Sequence, residues 1–173
     1  MTHSSPPASR IYVDLDDCLI HTIVGRAGSN KRKKLPIQTD DAYFSILSPM
    51  AGDLLKLCRS LRPTSLLTTA TGDYARAANE IFELGFICRE IIARADFMVE
   101  AEDSPLSAKH FATDPAGLLI DNQKLGDQAA MIKRKFLGIP DANYFQIREF
   151  CGHPKESFDK ELARLGGWLV GRV

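Results

Sequence analysis

Three carboxylates, Asp14, Asp16 and Asp17, fall within four residues directly after the apolar run Ile11-Tyr12-Val13. β-Branched and aromatic residues in such a run suit a buried strand. A strand that runs straight into clustered negative charge has the makings of a site. Like charges at the edge of an apolar core repel unless a carboxyl takes up a proton or a cation sits among them. A ligand set made only of oxygen points to magnesium. The pattern repeats at Ala116-Gly-Leu-Leu-Ile-Asp121, a second short apolar strand that ends in a carboxylate and is followed at once by Asn122. The two strand ends are expected to be neighbours.

The elements that must position these residues alternate. Leu19 to Val24 continues as a strand, and Ile37 to Leu47 completes a β-hairpin flap beside the first strand's end, with the basic run Lys31-Arg-Lys-Lys34 between. Pro49 opens a helix over Ala51 to Leu61, whose Leu54, Leu55, Leu57, Cys58 and Leu61 share a face. Thr64 to Thr69 reads as a strand, and Gly72 to Leu84 as a helix that Gly85 stops. Phe86 to Ile92 is the next strand region, and a short helix is expected near Ser107 to Phe111. After Asp121 come a helix over Gly126 to Phe136, a strand around Tyr144 to Ile147, and a last helix from Pro154. Strands and helices in this order imply an α/β, Rossmann-like three-layer sandwich around a central parallel sheet, with ligands bound beyond the strand C-termini.

Length and composition narrow the field. A chain of 173 residues is one domain's worth, long enough to bury about 70% of its unfolded surface. Residues 1–9, with two prolines and three serines, are expected to be a mobile tail before a single domain over 10–173. Zero formal net charge argues against nonspecific binding to nucleic acid or membrane by the whole surface. Cys18, Cys58, Cys88 and Cys151 are too far apart for a zinc site and form no secreted-disulfide pattern, so a reducing compartment is expected. No apolar run is long enough to span a membrane, and the first residues lack the core of a signal peptide; cytoplasmic location is the expectation.

Val13-Asp14-Leu15-Asp16-Asp17-Cys18-Leu19-Ile20-His21 resembles the first motif of the haloacid-dehalogenase superfamily of phosphatases. Its wording is closest to the phosphatases acting on the RNA polymerase II C-terminal domain, the NLI-interacting-factor-like family. Cys18 departs from that pattern, which usually has Thr there. Asn143-Tyr-Phe-Gln-Ile-Arg148 and Phe158-Asp-Lys-Glu-Leu162 are similar to the same family's closing strand and helix, so the resemblance spans nearly the whole expected domain.

The resemblance implies roles residue by residue. Asp14 is the nucleophile that forms an aspartyl-phosphate, and Asp16 the general acid and base. Thr69, in Thr69-Ala70-Thr71, binds a phosphoryl oxygen, with Thr68 as the competing choice. Lys109 stands where the third motif's lysine is expected, with Arg89 and Arg94 as alternatives. Magnesium is held by Asp14, a backbone carbonyl near Asp16, and Asp121, while Asn122 binds the ion's water shell. Asp17 and Asp127 read as solvated or capping carboxylates. His21, His110 and His153 read as structural or exposed. Lys31 to Lys34 is either a solvated loop or a means of steering an anionic substrate.

The function implied is a magnesium-dependent phosphomonoesterase. The intervals between motifs leave no room for a cap domain, and an open site suits a phosphorylated macromolecule, a phosphoprotein or a nucleic-acid end. Two rivals stay open: a small-molecule or nucleotide phosphatase of the same fold, and a catalytically idle interaction module, for which Cys18 is the hint. No membrane partner is expected, and oligomeric state is not legible.

Overall fold

The computed structural model describes residues 9–28, 30–101, 104–108 and 113–172, apart from the side chains of 100–112. In chain order the elements are β1 (Ile11–Val13), β2 (Ile20–Val24), β3 (Lys33–Lys34), β4 (Tyr43–Leu47), α1 (Ala51–Leu61), β5 (Thr64–Leu67), α2 (Gly72–Ile81), β6 (Ile91–Ile92), α3 (Arg94–Phe97), β7 (Met98–Ala101), β8 (Ser104–Ala108), β9 (Leu118–Asp121), α4 (Gln128–Leu137), β10 (Tyr144–Gln146) and α5 (Asp159–Val170). β10, β9, β1, β5 and β6, in that order, form a wholly parallel five-stranded sheet.

Strand alternation builds a core on each face of this sheet. Ile11, Val13, Leu66, Leu118 and Ile120 meet the apolar sides of α1, α2 and α5, including Leu54, Ala78 and Leu165. Tyr12, Leu67 and Leu119 point the other way, onto Ala130, Ile132, Phe136 and Phe97. The three-layer α/β sandwich expected from the sequence is therefore the architecture observed.

The differences are local and have local causes. α2 stops at Ile81, short of Leu84, because Glu83 (φ 52°) and Gly85 (φ 79°) turn the chain left-handed. Within Phe86 to Ile92, Cys88–Glu90 form a 3₁₀ turn closed by the Glu90 carboxylate accepting from the Ile87 amide at 3.0 Å, and two residues form β6. The last helix begins at Asp159, because 154–158 instead wrap Arg148, whose guanidinium donates to the Ser157 carbonyl and stacks on Phe158. Ser107 and Ala108 are strand, not helix, in a β7–β8 ribbon, while 109–112 lie outside the described residues. Ser9, expected in the tail, donates to the Ala116 carbonyl at 2.6 Å; residues 1–8 lie outside the described residues.

The flap is a three-stranded antiparallel sheet in the order β2, β4, β3. It gains one short strand, inside the basic run, over the hairpin expected. Lys33 anchors that edge, donating to the Ile81 carbonyl at 2.9 Å and lying over the Phe82 ring. Among the described residues, no helix is long and apolar enough to cross a membrane.

Candidate functional site

β1 pairs with β9 so that Val13 lies opposite Ile120, and the Asp14 amide donates to the Ile120 carbonyl at 3.0 Å. Asp14 and Asp121, the next residue in each chain segment, therefore stand side by side beyond the sheet. Asp14 is 5% exposed and Asp121 fully buried. Two carboxylates so placed need compensation, and it comes from Lys133, itself 1% exposed. Its ammonium lies 2.7 Å from Asp14 Oδ1 and 2.8 Å from Asp121 Oδ2. Burial by itself would lower the Lys133 pKa, but the two carboxylates outweigh it and the net shift is upward, so the ammonium stays charged. Burial is also the largest influence on Asp14 and pushes its carboxyl up, against the pull of Lys133.

Sequence reasoning missed Lys133. It sits in α4 among Ala130, Ile132, Phe136 and Leu137, all buried. A lysine on the apolar face of an amphipathic helix was the available signal, since lysine is almost never buried unless paired. Lys109 lies outside the described residues. Of its alternatives, Arg89 is exposed on the 3₁₀ turn, while Arg94 is half-buried and donates from Nε to the Thr69 carbonyl at 2.7 Å.

Beyond Asp14, the chain takes Asp17 through a left-handed conformation (φ 57°), which aspartate tolerates better than most residues. The Asp17 carboxylate is paired with His21 Nδ1 at 2.6 Å, and its carbonyl accepts from the Phe150 amide at 2.7 Å. Asp17 thus ties the loop to the C-terminal segment. That junction is tight: a Cβ on Gly152, at φ +86°, would lie 2.5 Å from the His21 ring and 2.8 Å from the Arg32 guanidinium. Cys18 is buried in the main apolar core, where burial pushes its thiol well up.

Asp16 is half-buried, and Tyr74 of α2 donates its hydroxyl to Asp16 Oδ1 at 2.5 Å. Burial raises the Asp16 carboxyl, with that hydrogen bond working against it. The two threonines after β5 separate cleanly. Thr68 is 1% exposed and its Oγ1 accepts from the Ala70 amide at 3.1 Å, whereas Thr69 is half-buried, and its hydroxyl bonds to none of the described residues.

The donor set for a metal can be tested on Asn122. Its side-chain amide lies 3.2 Å from the Asp16 carbonyl oxygen and 3.3 Å from Asp14 Oδ2. With its nitrogen turned inward, the amide donates to both. With its oxygen turned inward, three oxygens face one another, an arrangement that only a cation would stabilise. Oxygens at neighbouring corners of a magnesium octahedron are about 3 Å apart, given bonds of about 2.1 Å. Among the described residues, two buried carboxylates face one ammonium. The residues present fit magnesium. Asp121 is placed differently from the other three: its Oδ2 takes Lys133 and its Oδ1 takes the Gln123 amide at 2.9 Å. Among the described residues, no three His, Cys, Asp or Glu side chains cluster as a metal site.

A cleft of about 420 Å³ opens from Asp16 between the flap and α2, lined by Thr22, Ile37, Tyr43, Thr71 and Arg94 among others. Through Ile37, Thr39, Thr71 and Tyr74 it adjoins a second hollow that reaches Arg76 and Glu80.

No protein-family model matches the chain, and no curated protein matches its sequence. Solved structures do match. The chain is similar to the fission yeast RNA polymerase II CTD phosphatase Fcp1, as the R271A variant bound to beryllium fluoride, with TM-score 0.55 and 13% identity over 95% of this chain and 51% of that one. It is similar also to a second structure of Fcp1, described as an essential RNA polymerase II CTD phosphatase, with TM-score 0.55 and 15% identity over 95% of this chain and 50% of that one. The fold is the one these structures share. The chain spans about half the length of each.

Proposed function

We propose that this protein is a magnesium-dependent phosphomonoesterase of the haloacid-dehalogenase type, working through an aspartyl-phosphate on Asp14. One observation carries the reading: Asp14 is buried beside Lys133, while its other oxygen lies 3.3 Å from the Asn122 amide, which is also 3.2 Å from the Asp16 carbonyl. This leaves a fixed carboxylate with one oxygen held by Lys133 and the other beside a side-chain amide that can present nitrogen or oxygen. The Fcp1 structures are of a phosphatase, which agrees with the chemistry this site suits.

In this reading Asp14 attacks phosphorus, the ester oxygen leaves with a proton from Asp16, and a water that Asp16 deprotonates then clears the phosphate from Asp14. Lys133 holds Asp14 in place and offsets charge on the transferring group. Thr69 is assigned the role of binding a phosphoryl oxygen through its hydroxyl. Magnesium, held by Asp14, the Asp16 carbonyl and Asn122, would supply Lewis-acid neutralisation of the phosphoryl oxygens. Asp121 serves as the second anchor of Lys133. Lys109, the residue first expected in the cationic role, is replaced in this proposal by Lys133.

The substrate is taken to be a phosphorylated macromolecule or extended chain. The cleft at Asp16 and the adjoining hollow beside α2 support this reading, since together they offer room for residues flanking a phosphate. Four unpaired cysteines, two of them exposed, suit a reducing compartment such as the cytoplasm. Turnover of an aryl phosphate with and without magnesium, together with acid-stable trapping of label on Asp14, tests the reaction. Absence of turnover in a folded protein would refute it. Phosphopeptides compared with nucleotides and sugar phosphates test the substrate class; faster turnover of the small metabolites would reverse that part.

A further inference from the structure

Four oxygens form a continuous chain from the flap to the acid. Ser45 of β4 and Thr22 of β2 are cross-strand partners whose hydroxyls lie 2.6 Å apart. The Thr22 hydroxyl lies 2.6 Å from the Tyr74 hydroxyl, which donates to Asp16 Oδ1. Three hydroxyls bring three protons to three links. An ionised carboxylate only accepts, so the direction is forced: Ser45 donates to Thr22, Thr22 to Tyr74, and Tyr74 to Asp16. Hydrogen bonds aligned this way strengthen one another. Ser45 is fully buried and Tyr74 is 8% exposed, so water competes little for their hydroxyls.

We infer that Tyr74, oriented by Thr22 and Ser45 of the flap, is a positioning residue that confines the transferable proton of Asp16 to Oδ2 and so couples the flap to leaving-group protonation. The inference rests on the phosphomonoesterase reading. With the chain kept in this direction, Tyr74 donates to Oδ1 of the neutral acid as well, and Oδ2 is the oxygen left to carry the proton. In the step concerned, an oxygen of Asp14 forms a bond to phosphorus and the bond from phosphorus to the ester oxygen breaks. The electron pair of that bond goes to the leaving oxygen, and the proton moves there from Asp16 Oδ2. The products are an alcohol, the Asp14 acyl-phosphate and the Asp16 carboxylate. A rotated Asp16 would still be a carboxyl, but its proton would miss the leaving oxygen. Misplacement of about 1 Å costs on the order of 100-fold.

A structural staple would predict the same contacts, so the test uses the leaving group. An alkyl phosphate such as a phosphoserine peptide needs its departing oxygen protonated; 2,4-dinitrophenyl phosphate does not. kcat/KM reports the step that breaks the ester, so it is measured for both substrates in the wild type, Tyr74→Phe, Thr22→Val and Ser45→Ala. Tyr74→Phe is expected to lower kcat/KM on the phosphopeptide at least about tenfold more than on the dinitrophenyl ester, part of the 10²- to 10⁴-fold that general-acid help supplies. Thr22→Val and Ser45→Ala should follow in the same sense with smaller ratios, and they carry the test if Tyr74→Phe does not fold. Equal losses on the two substrates, or no loss, would overturn the coupling while leaving the phosphomonoesterase reading intact. A wild type that turns over neither substrate would sink both.

Discussion

Asp14 and Asp121 end neighbouring strands in register, are both buried, and share Lys133, yet differ in what reaches their second oxygens. Asp121 has a donor on each: Lys133 on Oδ2 and the Gln123 amide on Oδ1. Asp14 has Lys133 on Oδ1, while among the described residues its Oδ2 meets the Asn122 amide, which can present either nitrogen or oxygen. A carboxylate whose lone pairs are filled by fixed donors is a structural anion. One left with an oxygen toward a polar gap can attack or bind metal. The same residue at the same position in two adjacent strands thus divides into reagent and support, and the division lies in the donors around each.

Removing the reagent should have the largest effect. Asp14→Asn is expected to abolish turnover and phosphoenzyme formation, because an amide can still accept from Lys133 but is not a competent nucleophile. Near-normal rates in a folded Asp14→Asn protein would erase the distinction between the two ends.

Lys133→Met should come next and strike both ends at once. Two buried carboxylates left without their ammonium should lower stability by about 3 to 5 kcal/mol, the cost typical of breaking a buried ion pair from one side. Activity, measured at a temperature where the variant remains folded, should fall on the order of 100-fold or more. A thermal midpoint indistinguishable from the wild type would mean that Lys133 is not what holds the pair.

Asn122→Ala sharpens the comparison from the Asp14 side. The magnesium needed for half-maximal activity is expected to rise about 10- to 100-fold, with little change in stability. An unchanged magnesium requirement would remove Asn122 from the metal set.

The smallest effect on metal should be that of Asp121→Asn. The substituted amide keeps the shape and can still accept from Lys133, with its NH2 then facing the Gln123 N–H, so the magnesium requirement should move less than in Asn122→Ala. Stability should fall by about 1 to 3 kcal/mol through the weakened buried contact. A magnesium requirement raised as much as in Asn122→Ala would show the two aspartates to be equivalent ligands after all.

Strand and helix order, the parallel sheet, and the meeting of Asp14 with Asp121 were legible in the residues themselves. Apolar periodicity reports which side of an element is covered, and Ile11-Tyr12-Val13 running into Asp14 declares a strand end at the site. Local chemistry also made Thr68 and Thr69 distinguishable in principle, since adjacent strand residues face opposite ways. Contacts between distant segments were a different matter. Lys133 is 12 residues beyond Asp121 in the chain, and only the packing of α4 against the sheet brings its ammonium under both carboxylates. Tyr74 and Asp16 are 58 residues apart, and their hydrogen bond exists because α2 and the flap converge on one end of the sheet. Whether a carboxylate is a ligand or an anchor depends on how many donors reach it, and such donors come from any part of the chain. Residue types and spacing determined which groups this protein brings to the sheet's edge; the tertiary structure alone decided how they share their protons, lone pairs and charge.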